Sequence, residues 1–97
     1  MMVLVSYDVS TKDLPGRRRL RKVADACQDF GQRVQNSVFE CIVDPAQWVV
    51  LKNRVLGIYK PEEDSIRFYF MGSSWQKKVE HYGIKATPDL EKDSLIV

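Results

Sequence analysis

Two patterns in this 97-residue chain carry residue types suited to chemistry on a phosphodiester. The first is Asp8, which closes the apolar run Met2-Val-Leu-Val-Ser-Tyr-Asp. A carboxylate is a hard oxygen donor of the kind Mg2+ takes, and strand carboxyl ends are where open α/β sheets commonly display functional groups. One carboxylate is not a metal site. Two copies of Asp8 meeting at a dimer axis could share an ion, and a metal-activated water could then attack a phosphodiester. The competing role for Asp8 is simply to start the turn after the strand, a place Asp favours.

The second pattern is Arg17-Arg18-Arg19-Leu20-Arg21-Lys22, five cations in six positions. Net charge is only +2, yet residues 1–33 hold seven Lys or Arg against four acids while residues 34–97 hold eight against nine. The basic signal is therefore local, as a phosphate-binding patch would be. The cations fall in the first turns of an expected helix, where the macrodipole disfavours each by about 0.3 to 1 kcal/mol, so something should offset that cost. On a helical wheel Arg18, Arg21 and Lys22 point away from the apolar stripe, with Arg17 and Arg19 on its flanks. These residues suit phosphate-backbone contacts or a solvated helix face, and Arg33 could extend the patch.

Other candidates are weaker. His81 is the single histidine and has no Ser or Cys placed beside it by spacing, so a nucleophilic triad lacks support. Cys27 and Cys41 fit neither a disulfide framework nor a zinc site and read as core. Trp48 also reads as core. Phe68-Tyr69-Phe70 lacks the glycines and basic start of an RNA-recognition strand.

The elements that must position these groups follow from periodicity. Met2 to Val9 reads as a strand, with Val3, Val5 and Tyr7 on one face. Leu20, Val23, Ala24, Cys27 and Phe30 repeat at helical spacing over about 14–30, with Asp13 as N-cap, Pro15 in the first turn and Gly31 as a C-terminal left-handed residue. Arg33 to Val43 is strand-forming, with Asn36-Ser37 in its middle, and is either one long bent strand or two short ones. Asp44-Pro45 opens a second helix to about Tyr59, 60–64 is a turn, and Ser65 to Met71 is a strand. Residues 77–82 offer a further strand, 83–92 an extended tail, and Ser94-Leu-Ile-Val97 a terminal apolar strand. The expectation is one α+β domain of ferredoxin-like type: a core over 1–82 and a tail over 83–97.

With 44% hydrophobic and 29% charged residues the composition is globular, no apolar run is long enough for a membrane span, and no targeting segment is visible, so cytoplasm is the default. Two helices cover one face of a small sheet, and the other face also carries apolar residues. A homodimer packed sheet on sheet is therefore expected, with the tail crossing to the neighbour's sheet edge.

The motif YDVS ending the first strand, the Arg-rich helix and GQRVQNSVFE some 25 residues on together resemble the CRISPR-associated protein 2 family over nearly the whole chain. The resemblance implies a ferredoxin-like homodimer with a C-terminal strand crossing to the partner. It implies a role in spacer acquisition, in which the dimer bridges the CRISPR integrase and holds double-stranded protospacer DNA. It also implies Mg2+-dependent endonuclease activity on RNA, single-stranded RNA included, or on DNA. Asp8 would be the shared metal ligand, Tyr7 its catalytic neighbour, and Ser37, Phe39 and Arg33 motif residues near the site. Arg17, Arg18, Arg19, Arg21 and Lys22 would contact the backbone. A non-catalytic architectural role and a toxin-like RNA interferase remain as alternatives.

Overall fold

Asp13 and Asp44 decide where the two helices begin. In the computed structural model, which describes residues 1–72, 74, 77, 80 and 82, helix α1 spans Leu14–Gln28 and helix α2 spans Pro45–Leu56. The Asp13 carboxylate accepts from the Gly16 amide at 2.8 Å, satisfying one of the donors a helix start leaves open. Asp44 accepts from the Gln47 amide at 2.7 Å while the Gln47 side chain accepts from the Asp44 amide at 2.9 Å, a reciprocal capping box. Each helix has a proline in its first turn, where a missing N–H costs nothing.

The described residues also form four strands: β1 Met2–Asp8, β2 Gly31–Gln35, β3 Val38–Ile42 and β4 Ser65–Gly72. The stretch between the helices is thus two short strands with Asn36-Ser37 at the turn. They form one antiparallel sheet in the order β2-β3-β1-β4, and the element order βαββαβ makes it ferredoxin-like. Val3 pairs with Cys41 and Val5 with Phe39, so the inward alternation of β1 and β3 is in phase. Val3, Val5, Tyr7, Phe39 and Cys41 meet Val23 and Cys27 of α1 and Leu51 and Val55 of α2, all 1% exposed or less. Burial of each large side chain is worth about 1.5 to 3 kcal/mol. Both cysteines are free and buried, as core residues.

Helix α1 ends differently from the sequence expectation. Its C-cap is Asp29 in the right-handed helical region, and Gly31 has no positive φ. Glycine is required at 31 for closeness: a Cβ there would run into the Glu40 carbonyl oxygen and stand 2.6 Å from the Cys41 Cα. Helix α2 stops at Leu56, before Tyr59, with Gly57 as its cap.

Among the described residues no helix covers the opposite face of the sheet. By alternation and register Met2, Leu4, Ser6 and Asp8 share it with Val38, Glu40 and Ile42 of β3 and with Arg67 and Tyr69 of β4. Met2 is buried there against Ile42 and Met71. Among the described residues no helix is long and apolar enough to cross a membrane. The expected strand at 77–82 lies largely outside the described residues, and His81, the tail over 83–97 and its terminal strand lie wholly outside them.

The tight approach at Gly31 generates a stability prediction. Gly31→Ala must push β2 away from β3, and overpacking of this kind costs about 1 to 3 kcal/mol. At about 4 to 8 °C per kcal/mol for a domain of this size, thermal unfolding by circular dichroism should show a drop of several degrees or more.

Candidate nucleic-acid and metal site

Strand β1 delivers Tyr7 and Asp8 to opposite faces of the sheet, because side chains alternate along a strand. Asp8 is exposed at the strand's end, paired in register with Ser65, on the helix-free face. Its carboxylate accepts no hydrogen bond among the described residues. Tyr7 is 1% exposed in the core beneath the helices. Its amide donates to the Ser37 carbonyl at 2.9 Å, which ties the β2–β3 turn to the end of β1.

The Tyr7 hydroxyl donates to the carboxylate of Asp64, the last residue of the α2–β4 loop, at 2.5 Å. The same carboxylate accepts a two-pronged contact from Arg19 of α1, Nε to Oδ2 at 2.8 Å and Nη2 to Oδ1 at 3.0 Å. It also accepts from the Lys60 amide at 2.9 Å. The Asp64 side chain is 0% exposed and that of Arg19 17%. A buried carboxylate survives only when paired and hydrogen-bonded, and here three elements supply the donors. Burial pushes the Asp64 pKa up, but the bonds from Arg19, Tyr7 and the Lys60 amide outweigh it and hold the group below its ordinary value. Burial, and then the bond to Asp64, raises the Tyr7 phenol above its usual range. The bond to Asp64 raises the Arg19 pKa in turn, keeping the guanidinium charged. Tyr7 therefore stays a neutral donor.

The six-residue basic run divides by this geometry. Arg19 faces inward to Asp64, with Glu63 a further 3.8 Å neighbour. Arg17 is exposed and donates to the Thr11 carbonyl at 3.1 Å. Arg18, Arg21 and Lys22 are exposed, with no ion-pair partner among the described residues. Arg33 is half-buried in β2, donating through Nε to the Asn36 carbonyl at 2.8 Å, with its guanidinium 5.5 Å from the centroid of the Phe39 ring. Phe39 itself is 0% exposed. Asp8, the 36–37 turn with Ser37, and the first turns of α1 thus gather at one end of the sheet. Tyr7 and Arg19 reach this end too, yet they are spent on Asp64 and do not face solvent freely.

Asp64 was invisible as a site residue in the sequence, where 60–64 reads only as a turn. The one indirect signal was that so dense a basic run needs a counter-charge, and Asp64 supplies one for Arg19. Among the described residues no three His, Cys, Asp or Glu side chains cluster to hold a metal ion. Asp8 is thus the right kind of donor for a hard cation but only one of the donors such an ion takes.

The class this defines is a small ferredoxin-like α+β domain with an exposed carboxylate at the end of its first strand and a basic first helix. The family described as CRISPR associated protein Cas2 matches over residues 1–79. The chain is 60% identical over 91 residues to the CRISPR-associated endoribonuclease Cas2 of Chlorobaculum tepidum, covering 94% of this chain and 95% of that protein. It is 54% identical over 96 residues to the CRISPR-associated endonuclease Cas2 of Halalkalibacterium halodurans, covering 99% of each. The crystal structure of Streptococcus pyogenes Cas2 at pH 6.5 superposes with a TM-score of 0.80 at 58% identity, over 86% of this chain and all of that one. The chain belongs to the Cas2 family.

The Asp64 network sets a pH prediction. A carboxyl whose folded pKa lies below its unfolded value of about 3.8 stabilises the fold above that value and loses the contribution as pH falls through the folded pKa. Removing one partner of a buried ion pair costs about 3 to 5 kcal/mol. Asp64→Ala should therefore lower the melting temperature sharply at pH 7, and the gap to wild type should narrow as pH falls below 4. Thermal unfolding across pH 2 to 7 checks this.

Proposed function

We propose that this chain is a metal-dependent endonuclease that works as a homodimer, cutting RNA or DNA phosphodiester bonds at paired Asp8 carboxylates. The observation that carries this reading is the exposed Asp8 at the end of β1, on the face of the sheet that no helix among the described residues covers. The relatives' names, endoribonuclease and endonuclease, support the reaction class. The helix-free face supports the dimer: Leu4, Val38 and Ile42 are only half-buried on it, and Tyr69 is 44% exposed.

Asp8 from each protomer would hold a Mg2+ ion, whose chemistry is to lower the pKa of a bound water and stabilise charge on the phosphoryl oxygens. The chain's own contribution is placement. Asp8 is held at a fixed strand end, and Arg18, Arg21 and Lys22 offer charges for the nucleic-acid backbone. The same cations would hold double-stranded protospacer DNA in spacer acquisition, with the dimer bridging the CRISPR integrase in the cytoplasm. Family membership supports that role. In a purely architectural form of it, binding would persist without cleavage.

Two outcomes test the reading. Cleavage of single-stranded RNA and double-stranded DNA should require Mg2+, stop in EDTA and vanish in Asp8→Ala, with the variant still dimeric by light scattering. Equal cleavage by Asp8→Ala would remove Asp8 from the reaction. Replacing Arg18, Arg21 and Lys22 by Glu should weaken binding and flatten the dependence of log affinity on log salt. The slope should fall by about 0.7 for each single-strand phosphate that is no longer neutralised, or by about 2 for three.

A further inference from the structure

The Asp64 carboxylate lies close to the proposed site in connectivity although it is remote in sequence. Tyr7 precedes Asp8, and Asp64 precedes Ser65, the residue that pairs with Asp8 in the β1–β4 register. The Tyr7–Asp64 hydrogen bond thus spans the Asp8–Ser65 pair, from Tyr7 on its inner side in β1 to Asp64 in the loop just before β4, beneath the sheet, while Asp8 emerges above it. The other prongs of Asp64 reach Arg19, between the exposed Arg18 and the buried Leu20, and the Lys60 amide. One buried carboxylate therefore ties together the strand that presents the acid, the helix that presents the cations, and the loop leading into β4.

We propose that Asp64 is a positioning residue for the Asp8 site: through Tyr7 and Arg19 it fixes the end of β1 against the start of α1, and so fixes where Asp8 stands relative to the exposed cations. The inference rests on the reading of Asp8 as an ion-binding carboxylate. Stability alone does not explain the network. A well-packed apolar group in place of a buried ion pair is often neutral or stabilising, whereas directional hydrogen bonds to four donors admit one arrangement. A site made of carboxylates from two protomers needs that constraint more than most, because an error in either copy displaces half the donors.

Tyr7→Phe is the mildest test. It removes one donor and leaves Asp64 bonded to Arg19 and the Lys60 amide, so the fold is retained. Asp64→Asn and the double variant accompany it, with Asp8→Ala as the reference. Mn2+ binding, read from the electron paramagnetic resonance signal of free Mn2+, reports on the site without turnover. Cleavage of single-stranded RNA reports kcat and KM, and RNA affinity is measured in EDTA. Positioning predicts that Tyr7→Phe weakens Mn2+ binding about tenfold and lowers kcat by a similar factor, with KM and RNA affinity within about twofold of wild type. The double variant should be little worse than Asp64→Asn, because the two residues act through one bond. Wild-type Mn2+ binding and kcat in Tyr7→Phe, beside loss of both in Asp8→Ala, would overturn the positioning role and leave the Asp8 reading standing. Wild-type Mn2+ binding in Asp8→Ala would overturn both. Should Asp64→Asn fail to fold, Tyr7→Phe decides the matter alone.

Discussion

A carboxylate with no exposure to water has to be satisfied entirely by the protein, and Asp64 meets this demand with Tyr7, Arg19 and the Lys60 amide. Each donor comes from a different element, so the requirement to neutralise one charge becomes a requirement to dock β1, α1 and the α2–β4 loop together. The apolar core between helices and sheet supplies most of the driving force but little direction. The Asp64 network supplies direction at one end of the molecule, the end where Asp8 and the exposed cations lie.

That division explains the two fates of the basic run. Arg17 to Lys22 places five cations on α1 from the end of its first turn onward, close enough to repel one another. Arg19 is neutralised from within by Asp64, and Arg17 leans on the Thr11 carbonyl. Arg18, Arg21 and Lys22 are exposed and have no ion-pair partner among the described residues. The acid and the cations therefore belong to one end of the fold without pairing with each other, since Asp8 stands on the helix-free side and α1 on the other.

The parts of the structure that were legible in the sequence are those set by local pattern. The alternation of Val3, Val5 and Tyr7 marked the core face of β1, the spacing of Leu20, Val23, Ala24 and Cys27 marked that of α1, and Asp13 and Asp44 announced both helix starts. The Asn36-Ser37 ambiguity resolved as a turn because the Tyr7 amide takes the Ser37 carbonyl and fixes the hairpin tip. What stayed hidden was tertiary. Gly31 looked like a helix-ending residue because glycine serves both roles, and only the approach of Glu40 distinguishes them. The family resemblance made Tyr7 a neighbour of the site, while its burial and its bond to a residue 57 positions away depend on the fold. Asp64, in a turn rich in acids, carried no local mark at all.

The proposed site requires two copies of Asp8 to face one another across the helix-free sides of two sheets. A nitroxide label on a cysteine introduced at position 8 measures this directly, because Cys27 and Cys41 are fully buried and should not take the label. The account predicts strong dipolar broadening of the spectrum that disappears when labelled protein is diluted with unlabelled protein. A narrow spectrum from a sample that is dimeric by light scattering would contradict it.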